Sequence, residues 1–527
     1  MRKTGIFLGF NPGANLSNEG IGRLLAFLLK ESNTNNKDIV LFCPEWLKHS
    51  ISSLMKDNKI PQSKFEVVST GSIPLGVRLK DYLLKRRTLR IKNSKRNNLV
   101  RRLKQNVISL FKRSITDFFS TTNLFMAFLK LLGYLFVVVC AIPFLLVFIL
   151  LFFVYKILKV VYRLSKKVIP YSWIDSKLRL LLEGSQGKIY QLVLAAELSK
   201  VARMINKRKD IDACYIPSMV WPQIRELRCK KILAAPDIVF YDFPTQFPGV
   251  KGIHQNIRGN IKAADHLICY SDHVKYHHLV EKCGVSPEKI TVIKHANIDM
   301  AEHLKMSKHV KTYLSFEQNA KQIIDEYIQT NFSPNHVLYN SDFRDIDFIT
   351  YSSQYRSHKN IFNLIKAVKI INKEMHGNVK LFLTGDYEVE KAIKEYVTEN
   401  QLNNDIFIFF GISSTLLAAL NSLARLAVNP TLFEGGFPFT FSEAFSVGTP
   451  SIMSDIPVVN SEIDNEELKD QMLFNPYDPY CIAEKILQNL ENPNSLYESQ
   501  KKLYNHFNER DWKTVANQYK QVFNQSL

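Results

Sequence analysis

A chain of 527 residues, 46% of them hydrophobic and 22% charged, is too long for one core and predicts two or three domains. Seven scattered cysteines, Cys43, Cys140, Cys214, Cys229, Cys269, Cys283 and Cys481, form no CxxC pair and leave an odd one over, which argues against a disulfide framework and for buried thiols in a reducing compartment. The net charge of +20 would suit a nucleic acid, but between positions 78 and 179 there are 22 Lys and Arg against only Asp81, Asp117 and Asp175. That stretch also holds the most apolar run of the chain, so an anionic membrane is the expected partner and nucleic acid is not.

Met1-Arg2-Lys3 leads straight into a short strand over 5–10, which predicts no cleavable signal peptide. A loop over 11–19 follows, and Gly20-Ile21-Gly22-Arg23 opens a helix running to Lys30. Strand, glycine loop and helix start favour an anionic ligand, because orphan N–H groups and the helix dipole point at it. Strands at 38–42 and 65–70 with a helix at 46–56 between them give a βαβαβ order, hence a parallel, doubly wound sheet.

After Gly71 the pattern changes. Leu99, Leu103, Val107, Leu110, Phe111, Ile115 and Phe118 recur at helical spacing with Arg101, Arg102, Lys104, Lys112 and Arg113 on other faces, which describes an amphipathic helix lying in an anionic membrane surface; a core-facing helix is the alternative. Residues 131–155 then carry no charge, long enough at about 1.5 Å per residue to cross about 30 Å of hydrocarbon. A single crossing would separate the first three strands from the rest of their sheet, both flanks are basic, and Pro143 sits at the midpoint, so a re-entrant helical hairpin on the cytoplasmic face is expected.

The soluble pattern resumes with a helix over 189–205 and strands at 213–217 and 231–235, the last followed by Pro236-Asp237. The segment AADHLICYSDHVK, 263–275, reads as a strand whose Ser271 caps the next helix, and a strand follows at 291–293. His254 and His295 stand out only as isolated histidines, each more ordinarily a satisfied hydrogen-bonding residue than a ligand contact. Residues 301–344 read as a helical insertion at a hinge, longer than an ordinary connection. Asp210-Ile211-Asp212 and Asp345-Ile346-Asp347 both spell DxD, yet each directly precedes a strand, and no metal is expected on them.

The second half opens with a strand at 348–352 and the segment SQYRSHKN. Arg356 and Lys359 fall between that strand and a helix over 361–371, where both cations can converge on a phosphate group. Strands at 379–384 and 406–410 follow; the second ends in Gly411, with Ser413 and Ser414 to cap a helix. The stretch 428–463, VNPTLFEGGFPFTFSEAFSVGTPSIMSDIPVVNSEI, then places Glu434-Gly435-Gly436 in a turn and Glu443 on the helix after it, so two carboxylates can face one ligand from different elements.

These residues resemble the nucleotide-sugar motif of the retaining glycosyltransferases of family 4, also called glycosyl transferases group 1, which have the GT-B fold. The resemblance implies an α/β chain of two Rossmann-like doubly wound domains, here with a basic, hydrophobic, helical membrane-docking insertion. The first domain would be split over 1–75 and 185–300 around the insertion at 76–184. The second would span 345–480, and terminal helices at 481–527 would return to the first. By resemblance, Gly20 and Gly22 line the cleft near the donor diphosphate, Gly411 marks the turn near the base, and Arg356 and Lys359 stabilise the leaving diphosphate without metal or other cofactor. Glu443 would hold the ribose hydroxyls, with Glu434 and the N–H groups of Gly435, Gly436 and Phe437 at the sugar. Two departures stand out. Glu434 and Glu443 are nine positions apart where the family has eight, and Pro236 stands where members often have a histidine before aspartate.

The expected function is retaining transfer of a hexose such as mannose from a GDP- or UDP-sugar. The acceptor would be a lipid-linked glycan in surface polysaccharide or glycolipid assembly, met at the cytoplasmic face of the membrane where residues 80–182 anchor the chain. A catalytically silent relative, acting as a membrane-bound scaffold or nucleotide-sugar sensor, is the alternative.

Overall fold

The computed structural model describes residues 3–18, 20–31, 38–82, 125–126, 128–134, 188–236, 238–244, 250–305, 316–339 and 341–525. Two compact units result, Met1–Thr70 with Leu198–Leu527, and Gly71–Glu197.

The first unit holds two parallel sheets. One has seven strands, β1 (Lys3–Phe7), β2 (Ile39–Cys43), β3 (Glu66–Ser69), β4 (Ile211–Ile216), β5 (Lys230–Ala234), β6 (His266–Cys269) and β7 (Ile290–Val292), in the order β3-β2-β1-β4-β5-β6-β7. The other has six, β8 (Phe348–Tyr351), β9 (Lys380–Leu383), β10 (Ile406–Ile408), β11 (Leu426–Asn429), β12 (Ser451–Ser454) and β13 (Leu473–Phe474), in the order β10-β9-β8-β11-β12-β13. Runs such as IVLFC in β2 and LAVN in β11 are buried nearly throughout, as strands covered by helices on both faces must be. Two Rossmann-like domains are therefore present, as the motifs implied.

In each sheet the chain lays down three strands outward and then returns to the other side of the first. The returns put β4 beside β1 and β11 beside β8. At such a reversal the connections leave in opposite directions, and a crevice opens beyond the carboxyl ends of the two strands. Each domain has one such reversal, and the candidate residues of the second half fall at its own.

The helix Phe316–Asn331 lies within the expected helical insertion at 301–344. Ala320, Ile324 and Ile328, spaced at four, are buried with Phe343, Phe348, Phe382, Phe407 and Phe409, so this stretch forms a layer of the second domain. The last helix, Trp512–Gln525, crosses to the first domain, where Val515, Tyr519, Val522 and Phe523 share a core with Leu24, Leu25 and Leu28 of α1 (Gly20–Glu31). Phe27 stacks on Trp512 with centroids 4.2 Å apart, and Tyr519 meets Tyr215 edge-on at 5.6 Å. The six described cysteines are free thiols.

In the unit Gly71–Glu197, the Lys80 ammonium lies 4.0 Å from the centroid of the Tyr190 ring. Phe125, Met126, Phe128, Leu129, Leu131 and Leu132 are all 46–68% exposed, an apolar run facing outward. The amphipathic segment at 99–118 and most of the apolar run at 131–155 lie outside the described residues. Among the described residues no helix is long and apolar enough to cross a membrane.

The glycines of GIGR divide in role. A Cβ on Gly22 would lie 1.9 Å from the Leu16 carbonyl oxygen, whereas one on Gly20 would meet nothing within 4 Å. Gly22 is thus required by the backbone that folds over the start of α1. Gly22→Ala should destabilise the chain by about 1–3 kcal/mol in chemical denaturation, although alanine in an open helix would stabilise it. Gly20→Ala should be neutral or stabilising, and equal behaviour of the two variants would refute the close approach.

Candidate functional site

Beyond β8 the chain forms a short 3-10 turn, Ser357–Lys359, and Asn360 follows in the left-handed region with φ 56°. Asparagine tolerates that conformation better than most side chains. The Asn360 amide donates to the carbonyls of Pro430 (3.0 Å) and Pro476 (2.7 Å), and Leu432 N–H donates to the His358 carbonyl at 2.8 Å. These bonds sew the loop after β8 to the loop after β11. Lys359 and Glu434 consequently meet, with Nζ 2.5 Å from Oε1 and both side chains about four-fifths buried. Arg356, at the start of the turn, is exposed.

Pro438 precedes the helix Phe439–Phe445, which carries Glu443. The hydroxyls of Ser442 and Ser446 accept from the N–H groups of Ile298 (3.0 Å) and Met300 (2.9 Å), so this helix is fixed to the chain entering from the first domain. Glu443 is 1% exposed. Its Oε2 lies 3.4 Å from Ser352 Oγ, at the end of β8, and its Oε1 accepts a hydrogen bond from Arg23 Nη2. Lys359, Glu434 and Glu443 thus gather at the β8–β11 reversal. Arg23 joins them from the first domain. In the sequence Arg23 has no signal beyond its place in GIGR, next to the glycines Gly20 and Gly22.

One glycine between the two glutamates is held in a close approach. A Cβ on Gly436 would stand 3.0 Å from Tyr270 Cβ and 3.4 Å from its carbonyl oxygen, while Ser271 Oγ donates to the Gly435 carbonyl at 2.9 Å. The turn is therefore pressed against the end of β6 in the first domain. Ser271 also accepts from Val274 N–H at 3.3 Å, which is the expected helix cap. The Phe437 ring packs on Phe441 and Phe507, centroids 5.5 and 4.7 Å away, and leaves only its backbone for a ligand.

Other expected positions are less central. Gly411, with φ 70° and open space around it, lies beyond β10 at the sheet edge, and Ser413 beside it accepts from Leu416 N–H at 3.2 Å. Gly20 is exposed and Gly22 is committed to packing. His254 Nε2 lies 3.0 Å from the Phe240 carbonyl, a satisfied side chain. His295 is stacked on Phe439 at 4.8 Å and packed on Tyr270 at 4.2 Å, so it belongs to the aromatic seam under the site. Both DxD pairs lie at the amino ends of strands, opposite the crevices. Asp210 is bonded to Arg208 at 2.7 Å, and Asp347 lies 3.4 Å from Arg425. Pro236 follows β5, and Asp237 lies outside the described residues.

Burial, and then Lys359 and Arg356, push the His358 pKa down to about 3; burial, and then Arg510, do the same to His295. Both imidazoles are therefore neutral near pH 7, and the positive charge around Glu434 and Glu443 belongs to Lys359, Arg356 and Arg23. Such a crevice, with cations at its wall and a buried carboxylate at its base, suits a ligand that joins a polyanionic group to a polyhydroxylated one.

Residues 342–510 match the family described as glycosyl transferases group 1. The chain is 26% identical over 200 residues to an uncharacterized glycosyltransferase of Methanocaldococcus jannaschii, covering 36% of this chain and 48% of that protein. It is 27% identical over 175 residues to the O-antigen chain mannosyltransferase RfbU of Salmonella typhimurium, covering 31% and 48%. The matched part therefore spans about half the length of these curated relatives. Among solved structures, sucrose-phosphate synthase from Thermosynechococcus elongatus superposes with a TM-score of 0.48 at 16% identity, over 64% of this chain and 79% of that one.

The buried histidines give a pH signature. The unfolded chain takes up a proton on each near pH 6.5, the folded chain only near pH 3, so stability falls as the pH drops through that interval. His295→Phe, which keeps an aromatic ring in the seam, should flatten this fall in thermal midpoints measured from pH 7 to pH 4. An unchanged slope would show that His295 is not held neutral.

Proposed function

We propose that this chain, whose residues 342–510 match the family described as glycosyl transferases group 1, moves a sugar with retention from a nucleotide-sugar to a lipid-linked saccharide. The observation that carries this reading is the gathering of Lys359, Glu434 and the buried Glu443 at the β8–β11 reversal. Arg356 and Lys359 take the donor diphosphate, Lys359 being shared between it and Glu434. Glu443 Oε2, which lies at the long distance of 3.4 Å from Ser352 Oγ, accepts from the ribose hydroxyls.

The acceptor hydroxyl enters from the crevice of the first domain, beyond β1 and β4, where Gly9 lies against Trp221 so closely that a Cβ would stand 2.9 Å from the ring. The C–O bond to the diphosphate breaks as the acceptor oxygen bonds to the same face of the sugar. The hydroxyl proton passes to the departing diphosphate oxygen. Charge grows on that oxygen as the bond breaks, and Lys359 with Arg356 supplies the compensating cations with no call on a metal.

A mannosyl donor and a role in surface polysaccharide assembly take support from the name of the Salmonella relative. A membrane-held acceptor takes support from the exposed apolar side chains at 125–132 and from the basic stretch around them, which would dock on the cytoplasmic leaflet. A silent sensor is the second reading, favoured by the occupation of Glu443 by Arg23. Hydrolysis of a nucleotide-sugar by the purified chain would dismiss it.

Lys359→Ala and Arg356→Ala should each lower turnover by about a hundredfold or more with the fold intact by circular dichroism. Wild-type rates in both would remove the site assignment. Deleting residues 80–182 should lower turnover on a lipid-linked acceptor while sparing a short soluble one, and an equal loss on both would assign the insertion to folding alone.

A further inference from the structure

Next to the first domain's edge of the cleft stands a cluster that the transfer reaction does not use. His273, His277 and His278 occupy the start and first turn of a π-helix, Val274–Lys282, that follows β6. One ring nitrogen from each lies within 4.8 Å of the other two. In a π-turn the repeat lengthens beyond the usual 3.6 residues, so the fourth and fifth following side chains both come under the first. We infer that His273, His277 and His278, with Asp242 orienting His278, form a site for a divalent transition cation of the Zn2+ class.

The hydrogen bonds around the cluster favour a metal over simple packing. His278 is fully buried; its Nε2 lies 2.8 Å from Asp242 Oδ2, and its Nδ1 is enclosed without any hydrogen-bond partner. Lys282 Nζ donates to the other Asp242 oxygen at 2.6 Å. With Nε2 directed at the Asp242 carboxylate, the tautomer that donates there leaves the enclosed Nδ1 with a lone pair for a ligand. His277 repeats the pattern: its Nδ1 faces Glu281 Oε2 at 2.8 Å and its Nε2 is left for a ligand. A carboxylate behind the imidazole is the usual way in which proteins aim a metal-binding histidine.

Tetrahedral coordination with Zn–N bonds of about 2.0–2.1 Å needs nitrogens about 3.3 Å apart, a closure that the two partly exposed rings, His273 and His277, can supply by small side-chain rotations. Three neutral imidazoles with no carboxylate in the ligand set select Zn2+ or Co2+ over Mg2+ or Ca2+. The His278 ring also packs at 5.5 Å on Phe433, the residue before Glu434. A cation held here would fasten the first-domain wall on which the Glu434 turn rests, whatever reaction the cleft performs.

The test uses the purified full chain after dialysis against chelator. Titration calorimetry with ZnCl2 should show one saturable ion per chain with micromolar or tighter affinity, and Co2+ should give the visible absorption of a tetrahedral site. His273→Gln and His277→Gln, at partly exposed positions that spare the fold, should abolish or greatly weaken both signals. Asp242→Asn should weaken binding about ten- to a hundredfold, and His506→Gln, an exposed histidine elsewhere, should change nothing. Absence of saturable Zn2+ binding in the folded wild type, or binding unaltered in both His273→Gln and His277→Gln, would overturn the site.

Discussion

The side-chain amide of Asn360 is the central tie between the loops of the candidate site. Asn360 adopts a left-handed backbone and reaches two proline carbonyls, Pro430 and Pro476, neither of which has a neighbouring proline N–H to share the loop's hydrogen bonding. The Pro476 carbonyl also accepts from the Asn363 amide at 3.1 Å, and together these bonds fix the loop after β8 to the loops after β11 and β13. Lys359 immediately precedes Asn360, and Glu434 stands four residues past Pro430. Their ion pair is thus a consequence of backbone anchoring, with the two flexible side chains meeting because their roots cannot move apart. The parallel sheet supplies the place, at the reversal between β8 and β11, and Asn360 supplies the register.

Much of this could be read in the chain because it is local. Apolar runs between helical stripes mark the seven strands of the first sheet and β8, β9 and β10 of the second, since strands buried on both faces are apolar throughout, whereas the two residues of β13 are too few to stand out. The segments SQYRSHKN and LFEGGFPFTFSEAF announced their loops through glycine, proline and charge at fixed offsets. What escaped was set by contacts far apart in sequence. The bond from Arg23 to Glu443 spans 420 positions, and nothing near either residue encodes the other. The close approach of Tyr270 to Gly436 also joins residues 166 positions apart. Likewise Ala320, Ile324 and Ile328 marked a helix with one apolar face, but their spacing could not say which domain that face would cover. The histidines after Ser271 read as an ordinary helix because the extra residue of a π-turn has no distinct composition.

The Arg23–Glu443 pair also bears on how a donor could enter. Removing a carboxylate from water costs several kcal/mol, and a buried partner roughly returns that cost without adding much net stability. Glu443 is almost wholly enclosed while Arg23 keeps about a third of its side chain exposed. The arginine can therefore withdraw toward water more cheaply than the glutamate can, provided that another donor takes its place. Ribose hydroxyls are such donors. On the proposed reading the exchange would trade one charge-assisted bond for hydrogen bonds from the nucleotide, and because Arg23 belongs to the first domain and Glu443 to the second, the trade would couple donor entry to the relation between the two halves of the cleft. A neutral residue at position 23 would leave the second domain with an unpaired buried carboxylate whenever the site was empty, which is reason enough for a cation to stand there.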